Sequence, residues 1–412
     1  MTTVATGGDE EKIMNESNST EGQVFLRAGR DGPLRGGNPW VFSQALARVD
    51  PPNLSAGAAV GVHDSGGHLL GLGHFNPRTT IAVRMLAWGA RTPPIDELLR
   101  ERIGRALELR RRFIGTDTDC YRLVNGDGDG LSGLVVDRYA DVLVLQLLSA
   151  GMESLRGEIV AILGRLVAPR AIIERSQGAV RRAEGLSDRA GVVAGAAPGP
   201  TIVSENGLRF EVDFEHGQKT GQFLDQRDNR ARLAAVARDA RMLDLCCYSG
   251  GFMLAALRAG AREVVGVDTS ARALEWARRN LELNQLASDR ARLVHAPIAD
   301  YLASSADKFD LIVLDPPPLA RARGDAAHAG HLYVDLNAAA MRALAPGGCL
   351  MTFSCSVHFR GEDFVRAVRI AETRAGRRFR MLARLGAGPD HPVLLGHVEG
   401  EYLTGLMLSD LG

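Results

Sequence analysis

The 412-residue chain has five cysteines, few aromatic residues and no net charge. Its cysteines form no CxxC pair and no metal-ligand spacing, and an odd number does not fit a disulfide framework. Lys+Arg and Asp+Glu are equal at 49 each, so the overall basic field of many nucleic-acid binders is missing. We therefore expect a reducing, cytoplasmic compartment and no metal site, and any nucleic-acid binding must come from a local patch.

Long hydrophobic runs are also missing. No apolar stretch is long enough to span a membrane, and the polar first residues lack the basic flank and apolar core of a signal peptide. We expect no membrane partner and a disordered tail over residues 1–21. Hydrophobic content is nevertheless 45%, which is ample for buried cores, and the chain length predicts two or three domains.

Composition and turn signals divide the rest of the chain into three predicted domains. Residues 22–93 contain short apolar strands between Gly-, Pro- and Asn-rich turns, which is typical of a small β-barrel. Residues 94–200 combine helices with strands, where two turn pairs at 125–130 predict hairpins and the Gly-, Ala- and Pro-rich residues 190–200 predict a flexible connection. Residues 201–412 alternate strands and helices, which predicts a mostly parallel, doubly wound sheet.

Two arginine-rich segments could contact RNA. Residues 27–35 carry three arginines ahead of Trp40, and the helix predicted at 95–114 carries three arginines at 110–112. Such groups can bind phosphates and bases. A solvated loop with Trp40 buried under the barrel explains the first segment equally well, and a solvated helix end is favoured for the second.

The last domain is organised around residues 243–268. An apolar run meets Ser249-Gly250-Gly251, a helical stretch follows, and a second apolar run ends on Asp268. The glycines would let the backbone approach a ligand, and Asp268 could accept hydrogen bonds from two ribose hydroxyls. Because the full G-x-G-x-x-G fingerprint is missing, S-adenosylmethionine fits better than a dinucleotide. A purely structural turn remains the alternative.

Two further candidates follow later apolar strands. Asp315 ends the run KFDLIVLD before three prolines, and Cys355 follows GGCLMTFS. Both should lie at the carboxyl edge of the sheet, where ligands bind in open α/β folds. Asp315 and the carbonyls after it, left without local partners by the prolines, could bind the polar edge of a base. A Cys355 thiolate could act as a nucleophile, although a single cysteine between serines is more often inert.

A polar stretch, HGQKTGQFLDQRDNR at residues 216–230, precedes the glycine turn. Its hydrogen-bonding groups could line a charged ligand, with Asp225 for an amine and Arg227 for a carboxylate. Ordinary surface ion pairs at a helix start are an equal alternative.

These motifs together resemble the ribosomal RNA large-subunit methyltransferase I family. LDLCCYSGGF, the strand-ending Asp268, LDPPP, TFSCS and HGQKTGQFLDQRDNR carry the resemblance, and NPWVFS is similar to the family's N-terminal PUA domain. The resemblance implies a PUA-like β-barrel, a central mixed α/β domain and a Rossmann-like class I methyltransferase domain. It also implies S-adenosylmethionine as cofactor, 23S ribosomal RNA as partner and 5-methylcytosine as product.

The resemblance further implies residue roles. Cys355 would add to C6 of cytosine so that C5 attacks the sulfonium methyl, and Asp315 would stabilise the adduct from N3. A base that the sequence does not identify would remove the C5 proton. Related enzymes that make 7-methylguanine need no such thiol, so Cys355 favours cytosine. The residues predicted to bind the cofactor are Tyr248, Ser249, Gly250, Asp268, Asp315, Gln226, Arg227 and Phe223.

The sequence departs from the family pattern in three places. Pro297 stands where an Asp would meet the adenine amino group, Pro318-Leu319 follows DPP where a Lys-Phe-like pair is usual, and few arginines flank Trp40. An enzyme that uses the same cofactor on a small-molecule acceptor is therefore the second hypothesis, behind ordinary drift in an RNA enzyme. A non-catalytic RNA-binding protein is the third, and self-association into a homodimer is left open.

Overall fold

The structure is a computed structural model that describes residues 20–89, 93–217, 219–286, 289–320, 323–356 and 358–412. The predicted tail, 1–21, lies almost wholly outside the described residues. The chain divides into two compact units, each made of three separate segments. The first comprises the described residues of Met1–Ile114, Tyr121–Gly199 and Pro389–Gly400, and the second comprises Gly115–Cys120, Pro200–Gly388 and Glu401–Gly412.

The predicted three-domain division stays a prediction. The residues predicted as barrel (22–93) and central domain (94–200) lie almost entirely in one unit by their contacts. Residues 389–400, predicted as part of the last domain, belong to the first unit. The predicted boundaries therefore do not coincide with the limits of the compact units.

The first unit contains two sheets and five helices. The strands of its first sheet are β1 (Gly22–Leu26), β2 (Trp40–Phe42), β3 (Leu46–Asp50), β4 (Ala59–His63), β5 (Leu69–Phe75) and β6 (Ile81–Trp88). Those of its second sheet are β7 (Cys120–Asn125), β8 (Leu134–Tyr139), β9 (Val142–Leu147), β10 (Ala171–Ser176) and β11 (Arg189–Gly195). The helices are α1 (Gly32–Arg35), α2 (Ile95–Phe113), α3 (Ala150–Ser154), α4 (Arg156–Val167) and α5 (Ala179–Ala183). The sheet orders are β2-β6-β5-β4-β1-β3 and β11-β10-β9-β8-β7.

The hairpins predicted for this region agree with the strand order, in which β7, β8 and β9 are consecutive neighbours and β8 is antiparallel to β9. Both turn pairs at 125–130 lie in the first of these connections, which contains a 3-10 turn at Gly126–Asp129. Another expectation for the first unit was wrong. Half of the stretch predicted as a flexible connection forms β11, an edge strand antiparallel to β10. Strand pairing supplies the order that the small residues of β11 do not indicate by themselves.

The helix predicted at 95–114 is confirmed as α2, but its arginines differ from the expectation. Leu98, Leu99 and Ile103 are buried at helical spacing. Arg110 is buried as well, and its guanidinium binds both carboxylate oxygens of Asp129 at 2.6 and 2.8 Å. Arg110 is therefore an internal ion-pair residue. Of the three arginines at 110–112, only Arg111 and Arg112 are exposed.

Trp40, the other candidate RNA contact, is held within the first unit. Its indole Nε1 donates to Asp127 Oδ1 at 3.1 Å, and its ring centroid lies 4.2 Å from that of His397. Nearby, Arg27 donates to the Leu46 carbonyl at 2.9 Å, and Arg35 pairs with two aspartates. These contacts support the structural interpretation of Trp40 over a free stacking platform.

The second unit contains a hairpin and a seven-stranded sheet covered by helices. Its strands are β12 (Thr201–Glu205), β13 (Leu208–Val212), β14 (Arg241–Leu245), β15 (Glu263–Asp268), β16 (Ala291–His295), β17 (Phe309–Leu314), β18 (Leu344–Ser354), β19 (Phe379–Leu385) and β20 (Thr404–Asp410). Its helices are α6 (Arg227–Ala234), α7 (Gly251–Arg258), α8 (Ala271–Leu283), α9 (Ile298–Ser304), α10 (Ala326–Ala343) and α11 (Glu362–Ala375).

The order of the large sheet is β16-β15-β14-β17-β18-β20-β19. The first five strands are parallel, and β20 is antiparallel to both of its neighbours. The central strands are mostly apolar, as expected for a parallel sheet that is buried between helices. The predicted doubly wound, mostly parallel sheet is therefore confirmed, and its order reverses between β14 and β17, where such folds bind their ligands.

Substitution of Arg110 should strongly destabilise the first unit. Arg110→Ala leaves Asp129 as a buried charge without its cation, so we expect a loss of about 3–5 kcal/mol in unfolding free energy. Denaturant unfolding followed by tryptophan fluorescence measures it, since Trp40 lies in this unit. Arg111→Ala removes an exposed neighbour and is the matched control. Equal stability of the two variants would contradict the role of Arg110 as the buried partner of Asp129.

Candidate active site

Four strand ends meet at the carboxyl edge of the large sheet. Leu245 of β14 pairs with Val267 of β15 and with Leu314 of β17, and Leu314 pairs with Thr352 of β18. The residues that follow these positions must emerge at the same edge. The structure thus brings together the sequence candidates Asp268, Asp315 and Cys355, with the turn that follows β14 between them.

The turn from β14 to α7 is strained, and Asp268 fixes it. Cys246, Tyr248 and Gly250 have φ values of 65°, 48° and 82°, and the first two are not glycines. Left-handed conformations at such residues cost free energy and often mark functional sites. Asp268 accepts hydrogen bonds from the Tyr248 amide at 2.9 Å and from the Ser270 amide at 2.8 Å. The carboxylate therefore holds both its own loop and the turn beside it.

Gly251 serves a different purpose from the one the sequence suggested. A Cβ at this position would lie 2.9 Å from Cδ of Arg230. Arg230 is buried and binds Glu205 through two hydrogen bonds of 2.6 Å, and it also donates to the Phe223 carbonyl at 2.9 Å. The second glycine of the turn thus makes room for a buried ion pair, and of the two glycines only Gly250 has a left-handed backbone.

Three aromatic rings line up beside the turn. The Phe223 and Tyr248 centroids lie 5.1 Å apart, and the Tyr248 and Trp276 centroids lie 5.8 Å apart, both in edge-to-face geometry. Ser249, a residue of this turn, is buried, and its carbonyl accepts a hydrogen bond from Asn280 at 3.1 Å. The predicted cofactor residues Phe223, Tyr248 and Ser249 therefore belong to one packed group.

Asp315 is fixed by the amide of Gln226. Gln226 donates to Asp315 Oδ2 at 2.9 Å and accepts from Asn229 at 2.6 Å, so its orientation is set on both sides. Burial, with the charge of Asp225 adding to it, raises the pKa of Asp315 to about 6. Near neutral pH this carboxyl group can therefore bind or release a proton.

Cys355 lies beside Asp315, with its thiol directed at the polypeptide after β17. Its Sγ donates to the Pro316 carbonyl across 3.8 Å, so this carbonyl does have a partner, unlike the sequence expectation. Burial, followed by the charge of Asp315, raises the pKa of Cys355 to about 12. The isolated site therefore disfavours the thiolate.

The two serines that flank Cys355 face the opposite side of the chain. Ser354 and Ser356 both hydrogen-bond to the Tyr333 hydroxyl, at 2.9 and 3.1 Å, and all three side chains are buried. Ser356 also accepts from the amides of Leu319 and Ala320. Because neighbouring side chains of an extended chain point to opposite sides, anchoring both serines at Tyr333 leaves Cys355 on the other side, where its thiol meets the Pro316 carbonyl.

The polar stretch 216–230, which continues into α6, contributes buried groups as well as a surface ion pair between His216 and Asp213. Asp225 Oδ2 accepts from Lys219 Nζ at 2.7 Å and from the Tyr402 hydroxyl at 2.5 Å, and Asp225 is buried. Arg227 is buried too and pairs with Asp228 at 2.8 Å. Gln218, within the same stretch, lies outside the described residues.

Family models match two regions of the chain. A model described as a PUA-like domain matches residues 24–88. A model described as an S-adenosylmethionine-dependent methyltransferase matches residues 165–395. The second match includes the strand edge described above and identifies the chain as an S-adenosylmethionine-dependent methyltransferase.

Named relatives align along almost the full chain. A ribosomal RNA large subunit methyltransferase I from Aeromonas hydrophila is 40% identical over 392 residues, which covers 93% of this chain and 98% of that protein. One from Tolumonas auensis is 38% identical over 391 residues, with the same coverage of 93% and 98%. The chain belongs to the ribosomal RNA large subunit methyltransferase I family.

Solved structures share the fold of the chain. One described as a SAM-dependent methyltransferase from Streptococcus mutans has a TM-score of 0.80 at 20% identity and covers 94% of this chain and 99% of its own. A methyltransferase complexed with SAH has a TM-score of 0.82 at 21% identity with the same coverage of 94% and 99%. These likenesses confirm the fold class.

The donor set at the edge of the methyltransferase sheet fits S-adenosylmethionine. Asp268 supplies carboxylate acceptors at the end of β15, the position from which an acid binds ribose hydroxyls. The rings of Phe223 and Tyr248 offer π surface, which attracts a sulfonium cation. Among the described residues, no cluster of three or more His, Cys, Asp or Glu could hold a metal ion, and none of the described helices is long and apolar enough to cross a membrane.

Two departures from the family pattern have simple local structures. Pro297 precedes the first turn of α9 and is exposed, as is Asp300 within that turn. The Ala296 amide donates to the Asp268 carbonyl at 3.1 Å, which keeps this loop beside β15. The amide of Leu319, after the three prolines, is bound by Ser356 at 3.0 Å. Both loops are thus anchored next to the site despite the changed residues.

Sequence reasoning missed three groups at the site. Asp244 lies within the apolar strand β14, is buried, accepts from the Met253 amide at 3.1 Å, and has its pKa raised to about 7 by burial. An acid inside an apolar run is costly and could have been noticed on that ground. Tyr333 and Tyr402 lie far along the chain from their partners, and their sequence surroundings carry no comparable signal.

Replacement of Asp315 should stabilise the protein in a pH-dependent manner. The folded-state pKa of about 6 lies above the ordinary value of 3.8 for an aspartate, so ionisation of Asp315 opposes folding as pH rises between these values. Above about pH 6, Asp315→Asn should therefore exceed the wild type in unfolding free energy by up to about 3 kcal/mol and melt at a higher temperature. Below about pH 4 it should lose this advantage. Melting curves at both pH values test this, with the exposed Asp300→Asn as control. A pH-independent difference would refute it.

Loss of the Tyr333 hydroxyl should loosen the Cys355 loop. Tyr333→Phe removes the shared partner of two buried serines, so we expect a loss of about 1–2 kcal/mol and faster hydrogen exchange around Ala320 and Ser356. Exchange mass spectrometry measures both segments. Tyr121→Phe, which removes a hydroxyl that binds Arg138 in the first unit, should leave these segments unchanged. Unaltered exchange in Tyr333→Phe would argue against the anchoring role.

Proposed function

We propose that the protein methylates C5 of a cytosine in 23S ribosomal RNA, with Cys355 as the nucleophile. The observation that carries the proposal is the position of Cys355 beside Asp315 at the carboxyl edge of a methyltransferase sheet. The names of relatives 38% to 40% identical support ribosomal RNA as the acceptor.

The need for a thiol follows from the acceptor. C5 of cytosine is a weak nucleophile, and bound S-adenosylmethionine supplies the methyl group as an electrophilic sulfonium. Cys355 Sγ, after giving up its proton to a base, would form a bond to C6. The electron pair of the C5–C6 double bond would then form the C5–methyl bond as the methyl–sulfur bond of the cofactor breaks and S-adenosylhomocysteine is left. Loss of the C5 proton to a base and cleavage of the Sγ–C6 bond restore the ring. Cys355 thus ends the cycle as it began.

Asp315 suits the proton chemistry at N3 of the base. Addition at C6 moves electron density toward N3, which then needs a hydrogen-bond donor or a proton. Since burial raises the pKa of Asp315 to about 6, its carboxyl group can be protonated at modest cost near neutral pH. Gln226 fixes the carboxyl group by its 2.9 Å hydrogen bond, so that group needs little reorganisation.

We infer the cofactor contacts from the residues at the carboxyl edge of the large sheet. Asp268 binds the ribose hydroxyls, while Tyr248, Ser249 and Gly250 form the turn beneath the nucleoside. Phe223, Gln226 and Arg227 complete the cofactor side of the site, with Gln226 acting through Asp315. The edge-to-face packing of Phe223 on Tyr248 supports a common surface for these residues.

A small-molecule acceptor with the same cofactor is the second candidate. The exposed Pro297 and the proline-rich loop after Asp315 are the features that favour it. It predicts turnover without RNA and weak RNA affinity. The RNA hypothesis also implies a cytoplasmic location, and a homodimer stays a prediction.

The deciding measurement is methyl transfer from labelled S-adenosylmethionine to protein-free large-subunit ribosomal RNA from a strain that lacks this protein. We expect label in 5-methylcytosine with the wild type and none with Cys355→Ala, because the thiol forms the covalent bond. Cys349→Ala is the matched control, since Cys349 lies within β18 rather than after its end. It should keep full activity.

Three results would overturn the proposal. Full activity of Cys355→Ala would exclude the nucleophile, and label in another nucleoside would exclude cytosine. Cofactor binding without transfer to any ribosomal RNA would favour the small-molecule acceptor.

A further inference from the structure

The segment from 360 to 384 is strongly basic, although the chain as a whole is neutral. It contains eight arginines against three acidic residues, which leaves a formal charge of +5, whereas the formal charge of the whole chain is +0. The segment comprises α11, most of β19 and the connection between them, and all of it belongs to the second unit. In a neutral chain, a local concentration of positive charge of this kind is what can attract a nucleic acid.

Four of these arginines are exposed and form no ion pair with any residue that the structure describes. They are Arg366, Arg369, Arg378 and Arg380. Arginines on the exposed side of another helix of this unit are treated differently, since Arg278 and Arg279 of α8 both pair with Glu275. The positive charge on α11 and β19 is therefore not cancelled by acidic neighbours.

Arg366 and Arg369 lie on the outward side of α11. They follow Glu362 at helical spacing, so the three side chains share one side of the helix. The buried residues that occupy the rest of the helix surface are Phe364, Val365, Ala367, Val368 and Ala371. Glu362 accepts a hydrogen bond from Arg384 of β19 at 3.1 Å. The outward side of α11 thus runs next to β19.

Strand β19 extends the same surface. It is the last strand in the order of the large sheet, next to β20. Met381 pairs with Leu408 and Arg384 with Leu406, and both leucines belong to the core that contains Phe364 of α11. Because paired residues of antiparallel strands point to the same face, Met381 and Arg384 lie on the α11 side of the sheet. Met381 is 45% exposed there.

This surface begins at the catalytic edge of the sheet. The Gly361 amide, just before α11, donates to Thr404 Oγ1 at 3.1 Å, and Thr404 pairs with Ser354 at the end of β18. Leu385, the last residue of β19, pairs with the next residue of β20. The end of β19 therefore lies two strand spacings, roughly 10 Å, from the end of β18, after which Cys355 follows.

We propose that Arg366 and Arg369, with the adjoining exposed edge of β19, bind the sugar–phosphate backbone of the RNA that continues from the nucleotide at the carboxyl edge. Guanidinium groups bind phosphates without selecting a base. A base that reacts at Cys355 must leave its stack, so the RNA beside it has to be held by other contacts. The inference rests on the proposed function in one respect, that the acceptor is RNA. It does not depend on the base that is methylated.

The affinity for RNA and its dependence on salt test the proposal. Filter binding measures both for the full-length protein with protein-free large-subunit ribosomal RNA from a strain that lacks this protein. Arg366→Gln combined with Arg369→Gln should reduce the slope of log affinity against log salt by about 1.4 to 1.8, because each lost phosphate contact removes about 0.7 to 0.9. The affinity at physiological salt should fall by roughly ten- to thirtyfold.

Two further pairs of substitutions serve as controls. Arg366→Lys combined with Arg369→Lys keeps both charges and should retain most of the affinity and the wild-type slope. Arg232→Gln combined with Arg238→Gln is the matched control, because both arginines are exposed and precede β14, away from α11 and β19. It should leave affinity and slope unchanged. Melting curves and the affinity for S-adenosylmethionine should be the same in all variants, since the altered side chains are exposed.

Methyl transfer gives a second measurement. The Arg366→Gln and Arg369→Gln pair should raise KM for ribosomal RNA by about the factor lost in affinity and leave the rate at saturating RNA near the wild-type rate. This split is expected because the surface lies beside the reacting groups and holds the RNA only by its backbone. A fall in the saturated rate with unchanged KM would contradict the proposal.

The remaining outcomes separate this inference from the proposed function. Wild-type affinity and slope in the glutamine pair would overturn it, as expected if the exposed Ile370 and Met381 receive a protein instead. Equal losses in the matched control, or in the lysine pair, would overturn it as well. If RNA binding depends on Arg366 and Arg369 but no label enters 5-methylcytosine, the proposed function fails and the RNA surface stands. If the wild type binds no RNA, both fail.

Discussion

The buried ion pair of Arg230 and Glu205 is the interaction on which the second unit depends. It ties the hairpin strand β12 to the start of α6, and it binds the Phe223 carbonyl in the same contact. It also imposes glycine at position 251. Breaking such a pair leaves an uncompensated buried charge, which is why all its neighbours are arranged around it. Gly251 of the turn, the Phe223 carbonyl and the hairpin strand β12 all contact this ion pair.

The carboxyl edge of the sheet is a region of crowded negative charge. Asp244 and Asp315 both have raised pKa values because they are buried, and each is raised further by another aspartate. Arg230 lowers both, so the ion pair that organises the fold also limits the electrostatic cost of the site. Burial of carboxyl groups lowers the unfolding free energy of a protein. The shifted pKa values that result suit proton transfer and nucleophilic chemistry, so they are common in active sites. Asp244 and Asp315 differ in environment, which lets them differ in task.

The sequence predicted those parts of the molecule that depend on local pattern. Apolar runs and their spacing gave the strands of the methyltransferase sheet, and strand ends then located Asp268, Asp315 and Cys355 at one edge. It did not predict that Arg110 is buried, because its partner Asp129 follows an intervening strand. It did not predict the strand at 189–195, whose order comes from pairing with β10. Tyr333 and Tyr402 were missed because their roles arise only from long-range contacts.

The alternation of the chain between its two units constrains how the protein is made. The first unit includes residues 389–400, and the second is completed by 401–412, which carry Tyr402 and β20. Neither unit can finish folding before almost the last residue has been polymerised. At about 5 to 20 residues per second, the chain from the end of β18 to the end of β20 takes roughly 3 to 11 s to be made, and during that time β18 waits for its partner β20. A nascent chain of this enzyme is thus a natural client for chaperones that shield unpaired strands on the ribosome.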